Sequence, residues 1–383
     1  MKITRITTYP VRVPLKPEFK MISALGQYEV SKYVIVRVET DADIDGVGEA
    51  SITACWSGET VWGTAAIIDN MFAPALIGHD PYDIKGLDAK LDQIAYGNWF
   101  AKSAIENACW DIQGKDQGKP VYELIGGPAR SNTIKCRFSM GAYDPERAYN
   151  RAKELISFGF TTIKVKVGTN LDKDIERIKT VRDAIGPEYE MVMDANCGFD
   201  APTAIKMAEA VEDCNVALFE QPTTRGDYEA LAKVRKAITP KVMADDICFD
   251  LADARECLRH EACDVISVYP GKNGGLRKSL EIVKLAEEFG VVCSIGSNLE
   301  WDIASAPMCH LCVGAENMQV ETYPGDIMGP AYHQVRLVED PLVIDFPTIT
   351  IPDKPGIGVT PDWTMIEEHT MKTLLGGATM GLY

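Results

Sequence analysis

Lys166, Asp194, Glu220 and Asp245 each close a short apolar or β-branched run: Thr-Thr-Ile-Lys-Val-Lys, Glu-Met-Val-Met-Asp, Val-Ala-Leu-Phe-Glu and Lys-Val-Met-Ala-Asp. The acids recur at steps of 26 residues (194 to 220) and 25 residues (220 to 245). Three carboxylates delivered to one place form an all-oxygen, trianionic cage, the donor set of a hard divalent cation such as magnesium. Lys164 and Lys166 lie two apart, so on a strand both side chains point to the same face. Adjacent ammonium groups repel, which predicts a lowered pKa for at least one of them and hence a neutral amine able to act as a general base. A cation that stabilises developing negative charge, beside such a base, converges on proton abstraction α to a carboxylate through an enediolate.

The elements needed to bring these residues together are legible in the intervening text. Each gap carries Ala, Leu, Ile and Val at three- and four-residue spacing among charges, the pattern of an amphipathic helix. Short apolar strands alternating with helices predict a parallel sheet of βα units. If the sheet closes into a barrel, its strand C-termini meet on the face where barrel active sites sit. The barrel is predicted to start near Thr133, with a first strand from Ile134 to Met140 and a helix from Pro145 to Phe158. A seventh strand is placed at Val291 to Ile295 and an eighth near Gln319 to Tyr323. Before it, residues 3–9, 33–40 and 46–50 read as antiparallel strands, followed by helical text whose clearest face is Ala101, Ala104, Ile105, Ala108 and Ile112. Two loops, 15–27 and 51–59, interrupt this unit. After Pro341 the repeat stops, and a proline-rich tail is expected to return to the N-terminal unit. The predicted fold is therefore α/β: a (β/α)8 barrel, imperfect in closure, over residues 129–340. An α+β capping domain is built from residues 1–128 and completed by the tail, 341–383.

The chain has 383 residues, enough for a barrel of roughly 250 and a smaller domain. Its net charge of −17 argues against nucleic acid and anionic membrane surfaces as partners. It leaves open a small anionic substrate, because a metal and local lysines reverse the sign inside a pocket. The 11 cysteines are scattered among apolar neighbours and read as reduced core residues of a cytoplasmic protein. Cys309 and Cys312 alone have CxxC spacing, without the second pair that a zinc site needs. The N-terminus alternates like a strand and lacks a signal-peptide core, and no run approaches membrane-spanning length.

Lys164-Val165-Lys166, Asp194-Ala195-Asn196, Phe219-Glu220-Gln221-Pro222, Met243-Ala244-Asp245-Asp246 and Lys272-Asn273-Gly274-Gly275 resemble, in order and spacing, motifs of the enolase superfamily. The resemblance is to its mandelate racemase/muconate lactonizing enzyme family, in the muconate-lactonizing subgroup, and runs nearly end to end. A lysine or histidine base working with magnesium is the known pattern of that superfamily. Carried over residue by residue, the resemblance implies Asp194, Glu220 and Asp245 as metal ligands, with one magnesium per subunit and manganese as the alternative ion. It implies Lys166 as base and Lys164 as its electrostatic neighbour, with Asn196 supporting a ligand. The two loops would close over the substrate.

One departure stands out. The subgroup places a further lysine on the sixth strand, five residues before the Gly-Gly pair, and here that position is Tyr269. A tyrosine is a weak base but a good acid or hydrogen-bond donor. Lys272 lies three residues on, in a Pro-Gly-Lys-Asn stretch read as a turn. The seventh strand has no histidine, so the dyad of the mandelate racemase subgroup is absent from its expected place. These features favour one-base chemistry on a small carboxylate: cycloisomerisation first, dehydration of an acid sugar or hydroxy acid next, racemisation or epimerisation third. Rival readings are a Schiff-base aldolase using Lys164 or Lys166, and a non-catalytic barrel acting as a binding or oligomeric scaffold. A homo-oligomer is expected, as barrels with capping domains often associate.

Other positions carry two readings each. Asp246 is either a support for Asp245 or a helix cap. Trp56 and Trp301 belong either to a pocket wall or to the core. Glu321, Tyr323 and Asp326 are polar candidates near the eighth strand, with Asp326 nearest the family's acidic position, and Asn298 is placed among the substrate-contacting or supporting residues after strand seven. His310 reads as structural. The lone Asn273-Gly274-Gly275 is a weak phosphate-cradle signal.

Overall fold

The structure, a computed structural model, describes residues 1–372. Alternation in the N-terminal text produces β1 (Ile3–Pro14), β2 (Val30–Thr40) and β3 (Asp45–Ala50), an antiparallel sheet in that order. The helix Trp99–Gln117 lies across it so closely that only glycine fits beneath. A Cβ on Gly48 would stand 1.8 Å from the Ala104 carbonyl oxygen, and one on Gly46 2.0 Å from that of Ala108.

The predicted apolar face of this helix is fully buried, and so are Glu106 and Asp111 on its other sides. The helix is wedged between the sheet and the barrel, so its acids work at the junction. Glu106 accepts the backbone N–H groups of Leu276 (2.8 Å) and Arg277 (2.9 Å), the first turn of helix Leu276–Glu288. A Cβ on Gly275 would come within 2.5 Å of the Glu106 carboxylate. The glycine pair thus serves a buried protein carboxylate where the sequence suggested a phosphate. Glu49 of β3 does the same for helix Asp302–Gly314, accepting from Trp301 and Ala304 at 2.9 and 3.0 Å. Carboxylates at helix N-termini satisfy otherwise orphaned donors.

Behind this front unit runs a curled parallel sheet of seven strands among the described residues. They are β4 (Phe138–Met140), β5 (Thr162–Lys166), β6 (Glu190–Asp194), β7 (Leu218–Glu220), β8 (Lys241–Ala244), β9 (Val265–Val268) and β10 (Val292–Ile295), each beside the next. Val192, Leu218, Met243 and Val265 close its interior at the strand N-terminal end.

Three sequence expectations change. The first barrel strand is split: Thr133–Lys135 pairs with Thr348–Thr350 of the tail, and the parallel sheet begins only at Phe138. No eighth strand forms among the described residues. Met318 bridges Cys293, Gln319 bonds Cys293 at 2.7 Å, and Arg137 N–H reaches the Gly325 carbonyl at 2.9 Å, so an irregular segment fills that gap. Pro324 cannot donate to a ladder there. Finally, loop 15–27 contains a short hairpin, Met21–Ser23 with Gly26–Tyr28, and loop 51–59 a single helical turn, Ala54–Ser57. The tail does return to the front: Thr370 bridges Val11, and the rings of Trp363 and Tyr9 lie 5.4 Å apart. Residues 373–383 of the predicted tail lie outside the described residues.

His310 is wholly buried and fixed by two bonds: Nδ1 accepts from Tyr122 N–H (3.1 Å), and Nε2 donates to the Ile357 carbonyl (3.1 Å). That tautomer is neutral, and burial pushes its pKa down to about 4. The unfolded chain therefore takes up this proton first as the pH falls. The contribution is complete above pH 6.5 and is lost as the pH falls towards 4, by at most about 3 kcal/mol. Chemical denaturation of the parent and His310→Asn across pH 4–7 is expected to show a shallower acid slope in the variant. Parallel curves would refute the assignment.

Candidate active site

At the C-terminal end of the curled sheet, parallel register sets Lys166 beside Asp194 and Asp194 beside Glu220, on three adjacent strands. Asp245 follows directly after β8. All four are buried or nearly so. Lys166 Nζ donates to Asp194 Oδ2 at 2.6 Å and to Asn196 Oδ1 at 2.7 Å. Lys164 Nζ bridges Asp194 Oδ2 (3.0 Å) and Glu220 Oε1 (2.9 Å). On the other side of Glu220, Arg137 Nη2 donates to Oε2 at 2.6 Å. Asp245 has its own cation, Lys272, whose Nζ donates to Asp245 Oδ1, the Asp245 carbonyl and the Ser267 carbonyl at 2.8–2.9 Å.

The electrostatics depart from expectation at Lys164. Burial lowers its pKa, but Asp194 and Glu220 outweigh burial and hold it above the ordinary lysine value. The charges nearest Lys164 are these two carboxylates, at 2.9–3.0 Å, and they dominate over the ammonium of Lys166. Burial would raise the Asp194 carboxyl, yet Lys164 and Lys166 keep it well below the usual carboxylate range. Glu220 is raised by burial and then by Asp194. Asp246 is pushed up to about 7 by burial, then by Asp245 and Asp194. It accepts from Trp56 Nε1 at 2.5 Å and from Asn196 Nδ2 at 3.4 Å, and Arg225 lies 3.8 Å away. Asp246 is thus a junction between the 51–59 loop and the acid cluster, with no helix to cap.

Of these groups Trp56, Arg137, Lys164, Lys166, Asn196, Glu220 and Asp245 line a cavity of about 530 Å³, with Asp194, Asp246 and Lys272 behind them. Its outer wall is formed by the two interrupted loops, joined by the Tyr28 hydroxyl and Cys55 Sγ at 2.8 Å. Asn298 clips the second loop to the barrel: its Nδ2 donates to the Ser51 carbonyl, and its Oδ1 accepts from Thr53 at 3.0 Å. Asp326 lies in the wall, accepting from the Ser139 N–H (3.1 Å) and the Tyr332 hydroxyl (2.9 Å).

Tyr269 stands four strands from Lys166, on the opposite wall. Its ring stacks on Trp56, centroids 5.7 Å apart and planes 8° off parallel. A Cβ on Gly296 would lie 2.3 Å from that ring, so the glycine leaves the recess the tyrosine fills. Lys272 Nζ lies 4.8 Å from the ring centroid. Burial, followed by Asp245, raises the phenol far above its usual pKa and keeps it protonated.

Several sequence assignments move. Lys272 belongs to the short helix Pro270–Asn273 and is wholly buried, contrary to its reading as a turn residue. Trp301 packs in the core against Tyr33. Glu321 pairs with Arg130 at 2.7 Å while 59% exposed, and Tyr323 packs against the apolar base, so neither reaches the cavity. Sequence reasoning missed Arg137 and Ser139. The available signal was alternation: in Cys-Arg-Phe-Ser-Met, Arg137 and Ser139 share a face of a strand otherwise apolar.

Family models match on both sides of the junction. Residues 3–126 match the mandelate racemase/muconate lactonizing enzyme N-terminal domain, and residues 147–365 the enolase C-terminal domain-like family. The chain belongs to the mandelate racemase/muconate lactonizing enzyme family of the enolase superfamily. It is 34% identical to the hydrophobic dipeptide epimerase of Enterococcus faecalis, over 83% of this chain and 89% of that protein. A structure of an E. faecalis dipeptide epimerase with Mg and the dipeptide L-Leu-L-Tyr has a TM-score of 0.89 at 31% identity, covering 94% of this chain and all of that one. The N-succinyl Arg/Lys racemase of Bacillus cereus has a TM-score of 0.92 at 30% identity, covering 97% and 98% of the two chains. The 2-chloromuconate cycloisomerase of Rhodococcus opacus has a TM-score of 0.93 at 27% identity, covering 97% of this chain and 100% of that one. Within this enzyme family, then, epimerases and racemases stand beside the cycloisomerases that the sequence reading placed first. Among the described residues no helix is long and apolar enough to cross a membrane.

Proposed function

We propose that this protein is a magnesium-dependent enolising enzyme that uses one base, Lys166, on a small carboxylate. Its product arises by β-elimination or the reverse addition, as in cycloisomerisation. The carrying observation is Tyr269: the wall opposite Lys166 presents a protonated, stacked phenol, while the nearby amine of Lys272 spends its donors on Asp245 and Ser267. Inversion at the α-carbon needs a proton acceptor on each face. Elimination needs one, with the same residue able to return the proton to the departing group.

The donor chemistry of Asp194, Glu220 and Asp245 suits magnesium, and the magnesium in the E. faecalis structure supports the choice. In the arrangement described, the three acids are held by Lys164, Lys166 and Lys272, and among the described residues no three acidic, histidine or cysteine side chains already form a cage. Asp194 and Glu220 nevertheless share one ammonium at 2.9–3.0 Å, so adjustment of side chains alone would let them share an ion. When bound, magnesium would supply a Lewis acid for the substrate carboxylate and its enediolate. Lys164, cationic between two ligands, would add positive charge on the carboxylate side.

A second reading, epimerisation, is favoured by the activities of the E. faecalis and B. cereus relatives. The two part in deuterated water. Elimination or cycloisomerisation predicts deuterium entering the α-position with retained configuration, or a product lacking that hydrogen. An equal mixture of α-epimers with complete deuteration would overturn the one-base reading.

A further inference from the structure

The cavity floor holds a cation that the enolising chemistry leaves unused. Arg137 precedes β4 on the same face as Ser139, its side chain is 2% exposed, and it contributes to the cavity wall. Nη2 donates to Glu220 Oε2, while Nε and Nη1, both buried, have no hydrogen-bond partner. The other Glu220 oxygen accepts from Lys164, on the far side from Arg137, and neither Nε nor Nη1 reaches the carboxylate. Among the described residues Arg137 makes no other ion pair. A guanidinium has five N–H donors and stays charged at any ordinary pH. Burying such a group with donors unused is costly unless an acceptor arrives. The acceptor that matches its planar fork is a carboxylate. Both donors are closed to solvent in this arrangement while the residue itself lines the cavity, so a small turn of the guanidinium is what would bring them to a group bound there.

We propose that Arg137 is a specificity-determining residue that receives a second anionic oxygen group of the substrate, so that small dicarboxylates are preferred over monocarboxylates. The proposal deepens the enolising reading, in which one carboxylate is activated for loss of its α-proton, and assigns a place to the other.

The test is a binding comparison on the full chain with magnesium present. Calorimetry would measure malate against lactate and succinate against butyrate, for the parent, Arg137→Met and Arg137→Lys. The parent is expected to prefer the dicarboxylate of each pair by about tenfold or more, the scale of a charge-assisted hydrogen bond. Arg137→Met should abolish that preference, and Arg137→Lys should reduce it while keeping a positive charge beside Glu220. Magnesium affinity, titrated separately, should change little in the lysine variant. If di- and monocarboxylates weaken in step, if the preference survives in both variants, or if the parent shows none, Arg137 is only a counter-ion to Glu220 and the proposal fails. Loss of the one-base reading would look different: dicarboxylate binding would persist, and α-exchange would not depend on Lys166.

Discussion

Lys166→Ala is expected to end α-proton exchange and to lower turnover by about 10²–10⁴-fold, the range of a positioned general base. Lys166 lines the cavity, and among the described residues its Nζ bonds only Asp194 and Asn196, so its removal widens a space already open to solvent. Its melting temperature should therefore stay close to the parent's. Lys166→Arg separates the base from the charge. Arginine keeps a cation beside Asp194 but does not yield a lone pair near neutrality. Both variants should be inactive in a deuterium-exchange assay, and an arginine variant with substantial exchange would reduce Lys166 to electrostatic support.

The second large effect concerns the metal. Chelation is expected to bring activity to background, with recovery on adding magnesium. Glu220→Gln should raise the magnesium needed for half-recovery by more than the about 10–100-fold typical of groups that merely orient a ligand. Glu220 accepts from both Lys164 and Arg137, so the variant also leaves two buried cations short of a counter-charge. A thermal-melt comparison would separate a fold defect from a metal defect. Borohydride added with substrate should trap nothing on Lys164 or Lys166. Covalent trapping together with chelator-resistant activity would restore the aldolase reading.

Much of the fold was readable because the βα repeat prints itself in composition: Lys166, Asp194 and Glu220 all end strands, and Asp245 comes one residue after its strand. The failures have physical causes. Thr133–Lys135 alternates like any strand, and only the distant tail decides which sheet claims it. Lys272 sits in Pro-Gly-Lys-Asn, whose local chemistry says turn. What holds it buried is a set of three acceptors, one on Ser267 of β9 and two on Asp245, just past β8 and 27 residues away. Glu106 and Asp111 lie off the apolar face read for their helix, and the groups that bury them, at Leu276 and Ile357, lie far away in sequence. The lysine pair misled for a related reason: its nearest charges in space are carboxylates from other strands.

The union of the two chain ends bears on how the molecule is made. β1 is paired across some 360 residues of sequence: Val11 bridges Thr370, and Met371 donates its N–H to the Pro10 carbonyl at 2.7 Å. That edge of β1 acquires its neighbour only after the whole barrel between them has been made. Contacts of such long sequence separation form slowly and leave strand edges open meanwhile. During translation the barrel staves can assemble in order, but the outer edge of the front sheet stays open until the tail arrives.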